Sequence, residues 1–428
     1  MKLAGLLLLA AATSFAQPHV IVISLDGFTP AVLSDPKLPF PVLRKLMREG
    51  ASAEGMTPIN PTVTWPNHTT LVTGVDATRH GLIYNGLPVR GGEGKPVRVE
   101  PWVDKTELVQ APTVYDAAHT AGLTTAEVDW VAIYHAPTIT WSFPEVPKLQ
   151  GALEKEMLAA GAVTAEELSM WSKTNNTLHD DVWTRAAVYL IEKHRPNLLL
   201  YHLLLTDSVQ HQYGAGSLAA HTALILADRQ VQRILDAVDR AGIRDSTTVF
   251  VLSDHGFQSY QHTIRPNEIL RSKGLLRDVD GAVDCDAWTI SEGGTAMVYV
   301  TRESRREATL RALDSAFQGV PGIAKVIRPA EYAAYGYPDP KKGRMSDLVL
   351  VAEPGYAFDG SAAGGGAHGY LNTDPEMNAL LVAWGAGIQP GVHLGVLPNV
   401  NVAPTIARLL HVPLPGIEGV AIGEFLRK

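Results

Sequence analysis

The stretch "HVIVISLDG" (19–27) is a mostly apolar run that ends abruptly at Asp26 and Gly27. Short apolar runs of this kind are typical of buried parallel strands. Five other segments have the same character, and we expect them to be strands as well: "NLLLYHLLLTD" (197–207), "TTVFVLSDHG" (247–256), "TAMVYV" (295–300), "DLVLVAE" (347–353) and "NALLVAWGAG" (378–387).

Helical patterns lie between these runs, for example "FPVLRKLMREG" (40–50) and the apolar spacing across residues 219–242. Strands that alternate with helices predict an α/β fold whose sheet is covered by helices on both faces. Residues 257–345 have a less regular pattern, and we expect them to hold an inserted subdomain or cap.

Length and composition are those of a globular protein. The chain has 428 residues, of which 46% are hydrophobic and 19% are charged. The single cysteine, Cys285, allows no internal disulfide. A net charge of −8 gives no support for a nucleic-acid-binding surface, so we expect no stable binding of nucleic acid.

The chain begins with one lysine, an apolar run and small residues at the usual cleavage spacing, "MKLAGLLLLAAATSFA" (1–16). This pattern predicts a signal peptide that is cleaved after Ala16, and hence a periplasmic or secreted protein. No later stretch approaches eighteen uninterrupted apolar residues, so we expect no transmembrane segment.

Acidic residues follow three of the predicted strands. Asp26 ends the first run, Asp207 the second and Asp254-His255 the third. Open α/β sheets bind ligands at the carboxyl ends of their strands. One such aspartate is commonly a helix cap, but three in one sheet are hard to explain in that way.

Histidines accompany these acids. His211 follows Asp207 by four residues and would share its helix face, His255 is adjacent to Asp254, and His368 lies among glycines in "GGGAHGY". Three carboxylates and three imidazoles without a thiolate suit Zn²⁺, and they are enough for a pair of ions about 4 Å apart. Such a site attracts phosphate and lowers the pKa of a nearby hydroxyl.

Thr64, in "PTVTWPNHTTLVTG" (61–74), is the natural hydroxyl. Pro66 suits the first turn of a helix and Gly74 the residue just past its end, so Thr64 is predicted to lie at or just outside a helix N-terminus. Thr64 alone would be interpreted as a helix cap. The six potential metal ligands favour a nucleophile instead.

The chain resembles the nucleotide pyrophosphatase/phosphodiesterase family of the alkaline phosphatase superfamily. The resemblance rests on motifs in the family's order: "VISLDGF", "PTVTWPNHTTLVTG", "RHGLIYN", "TDSVQHQYG", "LSDHGF", "AHGY" and "NVNVAPTIARLLHVPLP". It implies an alkaline phosphatase-like phosphodiesterase domain over residues 17–428, with the sheet sandwiched between helices.

By position, the resemblance implies two Zn²⁺ ions. One would be held by Asp207, His211 and His368, and the other by Asp26, Asp254, His255 and the Thr64 oxygen. Thr64 would attack phosphorus and form a phospho-threonine intermediate. Asn85 would donate to a phosphoryl oxygen in the transition state; its alternative role is that of a turn residue before Gly86.

The expected activity is hydrolysis of phosphate diesters or pyrophosphates. Sulfatase chemistry is unsupported because Cys285 lies in "AVDCDAW", outside a C-x-P-x-R setting. Residues 106–147 contain no lysine or arginine, whereas phosphatase relatives carry a Lys-x-Arg pair for the terminal phosphate of a monoester. A phosphomonoesterase is the alternative enzyme, and a catalytically silent binding protein is the alternative of another class.

Four aromatic or imidazole side chains have open roles. Trp65 is predicted to contact substrate, with stacking on a nucleobase and helix packing as equal alternatives. The second stacking position falls on His202, while Trp130 and Tyr134 either line the leaving-group side of the site or simply pack. The sequence leaves the particular substrate and the oligomeric state open.

Overall fold

The structure is a computed structural model that describes residues 17–428. The predicted signal peptide, residues 1–16, lies outside the described residues. Within the described part of the chain, no helix is both long and apolar enough to cross a membrane.

The main sheet has eight strands in the described residues. In chain order they are β1 (His19–Leu25), β2 (Ala51–Ala53), β3 (Thr125–Val128), β4 (Trp141–Phe143), β5 (Leu198–Leu203), β6 (Thr247–Leu252), β7 (Leu381–Gly385) and β8 (Val392–Leu394). Their order across the sheet is β8-β2-β7-β6-β1-β5-β3-β4. In the centre, Ile23 of β1 pairs with Tyr201 of β5 on one side and Val251 of β6 on the other, both in parallel register.

Strand β7 runs antiparallel to its neighbours β2 and β6, and all other pairs in the sheet are parallel. The expectation of a parallel strand over 378–387 is therefore wrong in direction. An apolar run shows that a strand is buried on both faces, but the direction of its neighbours depends on how the chain returns to the sheet.

Helices cover both faces of the sheet, as the sequence predicts. The principal ones are α1 (Pro41–Glu49), α2 (Thr64–Thr73), α3 (Val114–Thr120), α4 (Asn176–Lys193), α5 (Leu205–Tyr213), α6 (Leu218–Arg240) and α7 (Val402–Leu409). Ile21 and Ile23 of β1 pack on the face covered by α1, α4 and α6. Val20 and Val22, which point the opposite way, pack with α2, α3 and α7.

A second sheet lies between β6 and β7 in the chain. Its four strands, Ala287–Ser291, Thr295–Val300, Leu348–Ala352 and Ile323–Ile327 in spatial order, are all antiparallel to their neighbours. Two runs expected in the main sheet, 295–300 and 347–353, belong here instead, because apolar character does not specify a pairing partner. The proposed subdomain bounds of 257–345 stay a prediction.

Short ribbons and helices complete the described chain. The ribbons pair Met56–Thr57 with Leu397–Pro398, Leu87–Val89 with Arg98–Glu100, Gln258–Tyr260 with Gly365–Ala367, His262–Ile264 with Tyr356–Phe358, and Leu276–Val279 with Ala282–Cys285. The other α-helices of the described residues are Ala77–His80, Lys105–Leu108, Ala152–Ala159, Ala165–Ser169, Pro266–Ser272 and Arg306–Phe317. The ribbon of 258–260 with 365–367 brings the loop of His368 next to the segment that follows β6.

Candidate active site

The three predicted strand-end acids meet at the carboxyl edge of the central strands. Asp26 follows β1, Asp207 lies in the first turn of α5 after β5, and Asp254 and His255 follow β6. Asp26, Asp254 and His255 are fully buried. Parallel strands place their carboxyl ends at one edge of a sheet, which is why residues so distant in sequence converge here.

Thr64 is the first residue of α2 and lies beside this group. The helix cap is Val63, whose side chain makes no capping bond, and Gly74 ends the helix in the left-handed conformation at φ 69°. Thr64 is a buried residue, and its hydroxyl oxygen lies 3.4 Å from His255 Nε2. The interpretation of Thr64 as a helix cap is therefore wrong.

Two overlapping groups of side chains have the spacing of metal ligands. Asp207, His211 and His368 form one, and Asp26, Asp207 and His255 form the other; within each, the ligand atoms lie within 4.8 Å of one another. Asp254 joins the second group through Oδ2, which is 3.2 Å from His255 Nε2. The predicted ligands are thus brought together, and Asp207 is within reach of both groups.

The three histidines present the same nitrogen to the centre. The Nδ1 atoms of His211, His255 and His368 lie 3.0 Å from the carbonyl oxygens of Gly366, Gly256 and Thr62, respectively. A carbonyl only accepts, so each Nδ1 carries a proton, and in the neutral imidazole each Nε2 keeps a lone pair. Backbone contacts that fix the ring and its tautomer in this way are typical of metal-ligating histidines.

The buried carboxylates are short of partners. Asp26 Oδ1, Asp207 Oδ1 and Asp254 Oδ2 accept no hydrogen bond from any group in the described residues. Buried carboxylate oxygens are costly unless they are paired or coordinate a metal. The mixed oxygen and nitrogen donors and the orphaned oxygens therefore fit a site for metal cations.

Electrostatics at the centre point the same way. Burial, together with Asp254 and Asp207, raises the pKa of Asp26 well above its usual range. Burial opposes ionisation of Asp254, but His255 and His68 outweigh it and hold the pKa of that carboxyl far below its usual range. Burial and the neighbouring His255 and His211 lower the pKa of His368 to about 3. Carboxylates crowded in this way repel each other, and a bound cation relieves that repulsion.

Two glycines allow the tight turns that bring the side chains of the site together. Gly27 has φ +64°, and a Cβ at this position would lie 2.7 Å from the ring of Phe257. A Cβ at Gly256 would lie 1.9 Å from the carbonyl oxygen of Glu376. The turns after β1 and β6 are therefore open only to glycine, and they bring Asp26 and His255 together.

His68 is a residue that the sequence reasoning missed. It is fully buried on α2, with Nδ1 2.9 Å from the Thr64 carbonyl oxygen and 3.4 Å from Asp254 Oδ2. Burial, despite the attraction of Asp254, lowers its pKa. The available signal was its spacing, because residues four apart on a helix share a face and His68 follows Thr64 by four.

His202 does not occupy the second stacking position that the sequence suggested. Only 1% of its surface is exposed, and its Nε2 lies 3.0 Å from Asp26 Oδ2. Its Nδ1 lies 3.1 Å from both the carbonyl oxygen and Oδ2 of Asp129, which the sequence reasoning also missed. The ring is enclosed by protein and offers no face to a nucleobase.

Asn85 and Trp65 meet at the start of α2. Asn85 Oδ1 accepts the backbone N–H of Trp65 at 2.8 Å, which leaves the Asn85 amide NH₂ as the group that can donate to a ligand. Trp65 lines a pocket of about 540 Å³, together with Trp102, Trp130, Tyr134 and Trp141. Trp130 is nevertheless 96% buried, since only 4% of its surface is exposed, so it serves both the core and the pocket wall.

Fold and site together define an α/β protein with side chains that could hold metal ions and a buried hydroxyl-bearing residue, Thr64, at the carboxyl edge of its central sheet. Residues 20–371 match the family described as type I phosphodiesterase / nucleotide pyrophosphatase. The chain belongs to this family.

Curated relatives and solved structures agree with that membership. Over 412 residues the chain is 24% identical to ectonucleotide pyrophosphatase/phosphodiesterase family member 1 of Homo sapiens, covering 94% of this chain and 41% of the relative. Over 401 residues it is 21% identical to family member 5 of Homo sapiens, covering 92% and 75%. The chain thus spans about two fifths of the first relative's length.

The fold is similar to that of murine ectonucleotide pyrophosphatase/phosphodiesterase 5, with a TM-score of 0.73 and 19% identity over 96% of this chain and all of the other. A second structure of that murine protein is an inactive threonine-to-alanine variant in complex with AMP, and it matches this chain equally well.

Proposed function

We propose that the protein is an exported, zinc-dependent phosphodiesterase or nucleotide pyrophosphatase that uses Thr64 as its nucleophile. The observation that carries this proposal is the position of the Thr64 hydroxyl, 3.4 Å from His255 Nε2 at the start of α2. Family membership supports hydrolysis of phosphoric diesters. The AMP complex of the inactive murine variant supports a nucleotide substrate and an essential threonine.

Two Zn²⁺ ions suit the two ligand groups. Asp207, His211 and His368 would hold one ion, and Asp26, Asp254, His255 and the Thr64 oxygen the other. Bound at these ligands, zinc supplies positive charge that offsets the charge of the phosphate and lowers the pKa of the Thr64 hydroxyl.

The chain's own residues then perform the reaction. Thr64 Oγ1 attacks phosphorus, the alcohol or phosphate leaving group departs, and water hydrolyses the phospho-threonine to restore the hydroxyl. The N-terminus of α2 favours an anion at this position. The Asn85 NH₂ group, oriented by the bond between Asn85 Oδ1 and the Trp65 N–H, donates to a phosphoryl oxygen as charge develops on it.

The surroundings favour a diester over a monoester. The pocket beside Trp65 has room for an ester group, and its ionisable side chains, besides His135, are Glu127, Glu145, Glu154 and Lys148. One ammonium among three carboxyl groups does not provide the paired cations that the second negative charge of a monoester requires. The phosphomonoesterase alternative has no comparable observation in its favour.

Turnover of bis(4-nitrophenyl) phosphate and of 4-nitrophenyl phosphate by the zinc-loaded protein tests the proposal. We expect the diester to be cleaved with the higher kcat/KM, because one of its aryl groups can occupy the aromatic pocket. Faster cleavage of the monoester would contradict the diester assignment. Absence of turnover for both, in protein with a full metal content, would contradict the hydrolase itself.

A further inference from the structure

His202 lies directly behind the metal-ligand candidate Asp26. It belongs to β5, where it pairs with Ser24 of β1, and both it and Asp26 are buried. The two oxygens of Asp26 face different partners: Oδ2 is 3.0 Å from His202 Nε2, and Oδ1 is 3.4 Å from His255 Nε2. His202 therefore fixes the orientation of the Asp26 carboxylate through Oδ2, and Oδ1 faces the candidate metal site.

The other side of the His202 ring holds the loop that forms the pocket wall. Nδ1 lies 3.1 Å from the carbonyl oxygen and from Oδ2 of Asp129, the first residue after β3. Asp129, Ala132 and His135 have φ values of 55°, 54° and 51°, so three non-glycine residues within seven adopt the left-handed conformation. Strained backbone of this kind persists only where the surrounding structure holds it in place.

The same loop lines the pocket beside Trp65, through residues 130–136. Trp130 packs edge-on against His68 with ring centroids 4.8 Å apart, and His68 packs against His202 at 4.6 Å. The enclosed His202 imidazole thus contacts the metal-ligand candidate Asp26 and Asp129, which immediately precedes the pocket-lining residues. It also packs against His68, which lies beside Thr64.

We propose that His202 is a positioning residue that joins two parts of the active site: through Nε2 it orients Asp26 for the metal, and through Nδ1 it anchors the pocket-wall loop 129–135. The proposal rests on the proposed function for the role of Asp26 as a ligand. Outer-shell partners of metal ligands set metal affinity by orienting the ligand, whereas loop anchors set the shape of the substrate pocket.

The two nitrogens can be tested separately. In His202→Gln the side-chain amide reaches the place of Nε2 and keeps a donor to Asp26, while the link to Asp129 is lost. In His202→Asn the amide reaches the place of Nδ1 and keeps a donor to Asp129, while the link to Asp26 is lost. His19→Gln is the matched control, because His19 is also buried, begins β1 at the opposite edge of the sheet and bonds the Pro196 carbonyl oxygen.

The measurements are zinc affinity by chelator competition on the purified full chain, and KM with kcat for bis(4-nitrophenyl) phosphate on zinc-loaded protein. We expect His202→Asn to lose about tenfold or more in affinity for one of two zinc ions, with the other unchanged. We expect His202→Gln to keep both zinc affinities and to show a raised KM. Asp129→Gly keeps His202, the backbone acceptor and the left-handed φ of residue 129 but removes Oδ2. It should also raise KM while both zinc affinities are kept, and it serves if a His202 variant does not fold.

If His202→Asn binds zinc at both sites with the affinity of the wild type, the inference is overturned. It is also overturned if every variant, His19→Gln included, loses zinc affinity equally at both sites. Asp26→Asn separates this failure from that of the proposed function. If Asp26→Asn loses one zinc while His202→Asn loses none, Asp26 is a ligand and His202 does not position it. If Asp26→Asn loses none, the ligand assignment itself is wrong.

Discussion

The hydroxyl oxygen of Thr64 lies 3.4 Å from Nε2 of His255, although 191 residues separate the two in the chain. Thr64 begins α2, and His255 follows the central strand β6. The contact therefore joins a helix N-terminus to the carboxyl edge of the sheet. It places a hydroxyl where the proposed metal ions and the dipole of α2 would both favour its ionised form.

Thr64→Ala should abolish turnover. Removal of a catalytic nucleophile costs at least about 10³-fold in kcat, while Thr64 contributes only one of the oxygens around the centre. We expect the fold and zinc content to stay near those of the wild type, as measured by circular dichroism and metal analysis. Thr64→Ser, which keeps a hydroxyl, is the control and should retain part of the activity. More than a few per cent of activity in Thr64→Ala would show that another group attacks.

Removal of metal should inactivate the protein and lower its melting temperature. The oxygens of Asp26, Asp207 and Asp254 that have no partner in the described protein would lose the proposed metal on chelation. A ligand present at 100 times its Kd stabilises the folded state by about 2.7 kcal/mol, so its removal lowers stability by that amount. Thermal melts and activity before and after a strong chelator provide the measurement, and restoration by added Zn²⁺ is the control. Full activity in the chelator would rule out the two-zinc site.

A substitution at Asn85 can distinguish two roles of this side chain: donation to a phosphoryl oxygen in the transition state, and acceptance of the Trp65 N–H at the start of α2. Asn85→Asp keeps the oxygen that accepts the Trp65 N–H but replaces the NH₂ donor by a negative charge next to the phosphate. Loss of one such donor costs about 10²–10³-fold in kcat. We expect the kcat of Asn85→Asp to fall by at least that factor, while its melting temperature stays that of the wild type. A lowered melting temperature, with kcat per folded molecule unchanged, would indicate that Asn85 acts only structurally, by accepting the Trp65 N–H.

Glu127 should make stability depend on pH. Burial raises the pKa of this carboxyl from an ordinary 4.5 to about 7, although Ser142 and the Trp130 N–H bond to it. Between those values the folded state binds a proton that the unfolded state has released, so the free energy of unfolding falls as pH rises through this window. At 1.4 kcal/mol per pKa unit, the loss is about 3 kcal/mol.

Glu127→Gln, which does not titrate, isolates this effect. We expect the variant to gain stability relative to the wild type as pH rises from about 5 to about 8, as measured by urea unfolding of zinc-loaded protein at both values. The control is Glu166→Gln on the exposed side of the helix Ala165–Ser169, which should not change the pH dependence. If the free energies of unfolding of the wild type and Glu127→Gln differ by the same amount at both pH values, the raised pKa of Glu127 is contradicted.

Processing at the N-terminus can be checked directly. Cleavage after Ala16 would leave Gln17 as the first residue of the exported protein. Expression of the full chain in a bacterial host, followed by intact-mass analysis of the periplasmic fraction, should give the mass of residues 17–428. Replacement of Ala16 by a bulky residue should retain the precursor. Recovery of an unprocessed chain in the wild type would contradict the signal peptide.

The sequence by itself determined the α/β class, a helix that begins at or just after Thr64, and the acids that follow β1, β5 and β6. These features are local, because they depend on apolar runs, on helix-start and helix-end residues, and on the rule that parallel strands end at one edge. The resemblance to the family added Asn85 and the grouping of the ligands.

Only the tertiary structure decided which partners the buried groups have. The direction of β7, the separate sheet of residues 287–352, and the contacts of His68 and His202 all depend on pairings between distant parts of the chain. In the sequence, His202 is one polar residue in an apolar strand, at the position where relatives place a second stacking group, and its role there stays open. Its contacts with Asp26, 176 residues away, and with Asp129 exist only once the strands have paired in register, because register alone decides which side chains face each other.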